Sequence, residues 1–400
     1  MFLSNQHQDY GKPLDPIDAE TLGEAGGAAA EQFLARRDNH APTPLRALPR
    51  FAAVLGLGAL HIKDEGFRLG LGSFKALGGA YAVTRLVLEA AERRLDRPVA
   101  LADLHSGDVR SVAAAMTFAC ATDGNHGRSV AQGAQSVGAK AVVFVHAGVS
   151  EARIAAIARF GARMIRVHGS YDDSVREAAR VAAQEGWIVV SDTSWPGYER
   201  IPGLVMQGYT VIVREALRVL AEPPTHVFVQ AGVGGIAAAV AGYLALVMGD
   251  RRPTFVVVDP ARAACIFETA KAGHPVKIAH GEPTVMAMLE CHEPSPVAWR
   301  VLSRVADGFM TVDDAEAIAV MNRLARPSGN DPAIVAGESG GAGLAGLVRA
   351  ASNPEIRTKL GLGAGSRAFV INTEGATDPA RYAELVGESP ERIAERSAPG

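Results

Sequence analysis

The chain has 400 residues, 48% of them hydrophobic and 21% charged, which suits two or three domains with a large core and excludes disorder and small scaffolds. Lys and Arg number 40 against 43 Asp and Glu, so no charge excess marks a nucleic-acid or membrane partner, and a small-molecule partner is expected. Three cysteines, Cys120, Cys265 and Cys291, are too few and too scattered for a disulfide framework or a zinc cluster; no metal site and a reduced cytoplasmic setting are expected.

Met1 to Tyr10 lacks a basic segment followed by an apolar one, the pattern of a secretion signal. Ser73 is a candidate N-cap for an apolar helix over Phe74–Leu88, which places Lys75 in its first turn. There the helix dipole penalises an ammonium and burial adds to the effect, giving the uncharged amine that an imine with an aldehyde requires. The competing reading is a surface lysine with its stem along apolar neighbours. Arg93 to Arg110 is polar and reads as a surface excursion or a domain crossing. Thr122-Asp-Gly-Asn-His-Gly127 is dense in turn formers: an Asx turn is one reading, a ligand loop the other. In the second, Asn125 offers an amide donor and Asp123 a carboxylate that accepts a proton or holds an ammonium, while His126 reads as a packed histidine.

From Ala141 the pattern alternates: strand at 141–146, helix at 150–160, strand at 164–168, helix at 172–184, strand at 187–190. Ser150 caps the first helix and Gly161 stops it. A second set of apolar strands lies at His226–Gln230, Thr254–Val258 and Ala368–Thr373, which implies mostly parallel sheets covered on both faces. Ala231 to Gly249 is uncharged over about nineteen residues, long enough for a membrane span, but its AGVGG start after a strand favours a buried strand–loop–helix unit. In that loop Gly232, Gly234 and Gly235 suit a phosphate at a helix start or a plain tight turn. The dinucleotide spacing and a Gly-Lys-Ser/Thr sequence are both missing, which disfavours NAD and ATP. Asp192 lies at a strand's carboxyl end, as a ligand group or a turn cap. Glu338 and Ser339 divide the same way between pocket lining and a glycine turn. The tail from Gly387 reads as frayed.

The segments Ser73-Phe-Lys-Ala-Leu-Gly-Gly-Ala-Tyr81, Thr122-Asp-Gly-Asn-His-Gly-Arg128, Ser191-Asp-Thr-Ser-Trp195 with Gly197-Tyr198, Gly329-Asn-Asp-Pro332, Gly337-Glu-Ser-Gly340 and Asn372-Thr-Glu-Gly375 together resemble fold-type II enzymes that use pyridoxal 5'-phosphate, and within them the diaminopropionate ammonia-lyase branch. Asp123, where dehydratases carry a small residue, is the most specific element. The resemblance implies a tryptophan synthase β-like fold: two three-layer α/β/α domains, residues 1–88 plus 208–400 holding the cofactor and 89–207 forming a smaller domain, with the active site between them. It implies Lys75 as the internal-aldimine lysine, the loop Gly232, Val233, Gly234, Gly235 as the phosphate cradle, Asn125 on the cofactor's phenolic oxygen and Thr373 opposite the pyridine nitrogen. The implied reaction is elimination of ammonia from 2,3-diaminopropionate, in one or both enantiomers, through aminoacrylate to pyruvate and a second ammonia. Lys75 and Asp123 are the candidate bases for opposite configurations, and Asp123 and Asp192 the candidates to hold the departing amine. A homodimer is the expected assembly.

Two other functions compete. A serine or threonine dehydratase shares the cofactor but expels hydroxide and needs no carboxylate facing the β position. A non-catalytic α/β ligand-binding protein could retain the same glycine loops. Whether Cys265 and Cys291 pair is not legible from their spacing.

Overall fold

The computed structural model describes residues 1–37, 40–122, 124–169 and 171–397. Its strands are β1 (Phe2–Ser4), β2 (Leu45–Ala47), β3 (Ala59–Asp64), β4 (Thr117–Ala121), β5 (Lys140–His146), β6 (Arg163–Val167), β7 (Ile188–Val189), β8 (His226–Gln230), β9 (Thr254–Pro260), β10 (Gly308–Val312) and β11 (Arg367–Asn372). They fall in two compact units, one of Met1–Gly27, Ala41–Phe74 and Thr210–Gly400, the other of Ala28–His40 and Lys75–Tyr209.

The larger unit is built on a seven-stranded sheet in the order β1-β10-β9-β8-β11-β3-β2. Its five inner strands are parallel, and β1 and β2 pair antiparallel at the edges. Every residue of β8 and β10 is buried, so these strands read as continuous apolar runs rather than alternating ones. The helix Ala342–Ser352 lies directly on the sheet because it is small where it touches. A β-carbon on Gly343 would come 2.7 Å from the Phe228 carbonyl oxygen, and one on Gly346 2.6 Å from Val258. The uncharged run after β8 forms a helix of 14 residues, Gly235–Met248. Among the described residues no helix is long and apolar enough to cross a membrane. The C-terminal tail is ordered where fraying was expected: Pro390–Ser397 is helical, and Ile393 is buried with Met321, Ala325, Tyr382 and Val386.

The smaller unit has a four-stranded, all-parallel sheet in the order β6-β5-β4-β7, the βαβαβ run expected from Ala141 onward. Ser150 caps its helix, accepting the Arg153 N–H at 3.4 Å. The division between units differs from the expected 88/89 boundary, which falls inside a continuous helix, Lys75–Leu95. That helix packs along Asn125–Val137 almost backbone to backbone. A β-carbon on Gly79 would meet Ser129 Oγ at 2.8 Å, and one on Gly133 would meet Ala80 Cα at 2.7 Å. The whole helix therefore belongs with residues 125–137, and the units divide at Phe74/Lys75 and Tyr209/Thr210.

Charge is buried in the larger unit in two ways. Lys63, Arg68, Glu65 and Glu215 neutralise one another around Thr43, with ion-pair distances of 2.6–2.8 Å, so removing any one strands its partner in low dielectric. Among the described residues Asp64 forms no ion pair, and the field of Arg46 offsets its burial only in part. Its Oδ1 accepts from Asn372 Nδ2 at 2.8 Å and from the Gly66 N–H at 3.2 Å, and burial pushes its carboxyl up to about 6 against those bonds. A carboxyl raised in the folded state favours folding while protonated and disfavours it as pH rises through the folded value. Asp64→Asn keeps both bonds on Oδ1. It is expected to raise stability at pH 7.5 by on the order of 2 kcal/mol, with the gain vanishing near pH 4, as read by chemical denaturation across that range.

Candidate active site

In the smaller unit the residues of interest gather at the carboxyl ends of β4 and β7. Lys75 is the first residue of the helix Lys75–Leu95. Ser73 bridges Glu374, and the Phe74 N–H donates to the Thr373 carbonyl at 3.0 Å, both within the larger unit. The Lys75 ammonium forms an ion pair with the Asp192 carboxylate. Burial would push the Asp192 carboxyl up, but the charge of Lys75 outweighs it and holds the group well below the usual carboxylate range. The sequence reading of an uncharged Lys75 rested on the helix dipole and on burial. The opposing charge lies 117 residues along the chain, where no local signal shows it.

Asn125 opens the helix Asn125–Val137, is buried, and accepts a hydrogen bond from Arg128 on its amide oxygen. His126 donates from Nε2 to the Val190 carbonyl at 2.8 Å; a carbonyl only accepts, so the proton sits on Nε2. Burial lowers its pKa and keeps it neutral. It is a packed histidine, as its sequence context suggested, but it is packed against the segment that carries Asp192. Asp123 lies outside the described residues. Two tyrosines beside this cluster went unassigned in the sequence: Tyr209, fully buried and within the fields of Lys75 and Asp192, and Tyr198, whose motif was visible but whose task was not.

The larger unit contributes a separate set. After β8 the chain turns through Gly232 and Gly234 into the helix Gly235–Met248. The N–H groups of Gly232, Val233, Gly234 and Gly235 reach no acceptor among the described residues. Four successive orphan donors at a helix start form an anion cradle, and they fit a phosphate dianion. Two thiols back the cradle: Cys265 Sγ donates to the Gly232 carbonyl at 3.4 Å, and a β-carbon on Gly232 would meet Cys291 Sγ at 2.9 Å. The two cysteines are not joined as a disulfide. Thr373 follows β11 and is buried; its hydroxyl accepts from Gln230 Nε2 at 2.8 Å. Gln230, which the sequence did not single out, also donates to the carbonyls of Ser339 and Gly340. Those carbonyls fix which end of the amide faces Thr373. Ser339 is otherwise engaged, its hydroxyl accepting the Met288 N–H at 3.2 Å, and Glu338 is buried.

Residues 36–373 match the family described as pyridoxal-phosphate dependent enzyme. Over 371 residues the chain is 39% identical to diaminopropionate ammonia-lyase of Escherichia coli strain K12, covering 91% of this chain and 92% of that one. The chain belongs to the diaminopropionate ammonia-lyase family of pyridoxal-phosphate dependent enzymes. The corresponding ammonia-lyase of Salmonella typhimurium is 37% identical over 364 residues, 88% of this chain and 90% of that one. The crystal structure of the Escherichia coli diaminopropionate ammonia-lyase in complex with an aminoacrylate-PLP azomethine reaction intermediate superposes with a TM-score of 0.86 at 37% identity, covering 96% of each chain. The mostly parallel α/β architecture is that of the fold-type II enzymes, and the ammonia-lyase family uses pyridoxal phosphate.

Gly234 sits in a conformation that strains any side chain. Its φ is +100°, and a β-carbon there would lie 3.0 Å from both Ala298 Cβ and Ile266 Cδ1. Gly234→Ala is expected to cost about 1–3 kcal/mol of stability and to weaken cofactor retention by at least tenfold, measured as the pyridoxal phosphate concentration that half-restores absorbance to the stripped protein.

Proposed function

We propose that the chain catalyses elimination of ammonia from 2,3-diaminopropionate, giving pyruvate and two ammonia with consumption of one water. In the residue assignment proposed here, the Lys75 amine carries the cofactor. The orphan N–H groups of Gly232, Val233, Gly234 and Gly235 hold its phosphate, Asn125 meets its phenolic oxygen and Thr373 its ring nitrogen. When bound, pyridoxal phosphate supplies an electron sink that acidifies the substrate's α-proton. The chain's own groups do the rest. Lys75, displaced by the substrate's α-amine, accepts the α-proton at Nζ from one face, and Asp123 is assigned the same task for the opposite configuration. The β-amine leaves as ammonia only from its protonated state. Asp192, ionised throughout the neutral range, holds that cation and keeps its proton in place while the C–N bond breaks. Released aminoacrylate then hydrolyses to pyruvate and the second ammonia. A cytoplasmic homodimer is the proposed setting.

The observation that carries this reading is the pairing of Lys75 with Asp192: an amine-bearing group at a helix start with a carboxylate against it that the lysine's charge holds well below the usual carboxylate range. An enzyme that expels hydroxide has no use for such an anion. The test is a panel of both enantiomers of diaminopropionate and of serine, with pyruvate and ammonia both quantified. The expected result is two ammonia per pyruvate from the diamine, at a kcat/KM well above that for either serine. Faster turnover of a hydroxy amino acid would replace the lyase reading by a dehydratase.

A further inference from the structure

The chain that delivers Asp192 leaves the sheet at Val189, the last residue of β7, and residues 189–191 are held by two side chains. The Tyr198 hydroxyl donates to the Val189 carbonyl at 2.8 Å and accepts the Ser191 N–H at 3.0 Å. Between these, the Val190 carbonyl accepts from His126 Nε2 at 2.8 Å. One phenol oxygen that donates to residue 189 and accepts from residue 191 closes a ring around the intervening residue. That removes the torsional freedom that would let Asp192 swing. Tyr198 is itself fixed: its N–H donates to the Trp195 carbonyl at 2.8 Å, and its ring stacks on Trp195 with centroids 4.0 Å apart and planes 11° from parallel. Both residues lie in the smaller unit with Lys75 and Asp192.

We propose that Tyr198 and His126 are positioning residues, a two-armed clamp on residues 189–191 that sets the Asp192 carboxylate against Lys75. Neither arm touches the reacting atoms; both act through Asp192. The inference rests on the reading of Asp192 as the group that manages the departing amine.

The test is a double-mutant cycle on the holoenzyme with diaminopropionate. Tyr198→Phe keeps the stacked ring and removes only the hydroxyl. It is expected to lower kcat about tenfold while KM and the absorbance of the bound cofactor change by less than about twofold. In an Asp192→Asn background the same change is expected to alter kcat by less than about twofold, because the carboxylate it serves is gone. An equal loss in both backgrounds, or no loss in the first, overturns the clamp. If Tyr198→Phe does not yield folded protein, the other arm decides. Glutamine places an amide N–H near the position of Nε2, so His126→Gln is expected to recover most of the activity that His126→Asn loses, and equal losses overturn the clamp. A wild-type holoenzyme that makes no pyruvate from the diamine defeats the functional reading on which the clamp rests, an outcome distinct from either.

Discussion

Lys75→Ala is expected to abolish pyruvate formation from diaminopropionate, with a loss of at least about 10³-fold in kcat, while the protein keeps its circular dichroism spectrum. Lys75 is partly exposed at the first position of its helix and its ammonium pairs with Asp192, so its removal leaves the apolar face of Lys75–Leu95 intact. The stripped variant is expected to bind pyridoxal phosphate more weakly but measurably, because the orphan donors of residues 232–235 do not depend on the lysine. Assaying the variant with added methylamine separates the two tasks of the amine. Partial recovery would show that a free amine can accept the α-proton; cofactor binding without recovery would assign the loss to the missing covalent link.

The second large effect belongs to Asp192. Asp192→Asn is expected to lower kcat for the diamine by about 10²–10³-fold and to affect residual turnover of serine far less, since hydroxide needs no carboxylate to manage its proton. The pH behaviour follows from the direction of the shift. A carboxyl held below its ordinary range in the folded protein stays ionised as the medium is acidified, and its contribution is lost only as pH falls through that depressed value. Across the range where the enzyme is assayed Asp192 therefore does not titrate. The substitution is expected to lower the plateau of the kcat profile without moving its acid limb, and a limb that moves with the substitution would assign the titration to Asp192 after all.

Much of this was legible in the sequence, and what was missed has identifiable causes. The strands β5, β8, β9 and β11 announce themselves as uninterrupted apolar runs, and Ser150 marks the helix after β5, because each signal is local. The edge strands β1 and β2 have three residues each, too few to show a period. β3 carries His61 and Lys63; Lys63 is tolerated inside only because Glu215 and the Thr43 carbonyl meet it, and those partners lie far along the chain. The expected boundary at 88/89 fell inside the helix Lys75–Leu95, whose Gly78 and Gly79 give no local sign of what they pack against. In the folded chain they are the places where Tyr209, Val205 and Ser129 press against the backbone. The site divides the same way. Lys75, Asn125 and the glycines of residues 232–235 stand out by residue type next to turns. Gln230 bonds to residues more than 100 positions along the chain, which no local signal shows, and Tyr198 stands in a visible motif whose bonds to Val189 and Ser191 only the folded chain shows.

Reduction of the holoenzyme with borohydride followed by peptide mapping shows which lysine carries the cofactor. A single pyridoxyl group is expected, on the peptide that contains Ser73-Phe74-Lys75, with loss of activity in proportion to the label. A pyridoxyl group on another lysine, or cofactor that washes away after reduction while activity survives, would contradict the assignment of Lys75.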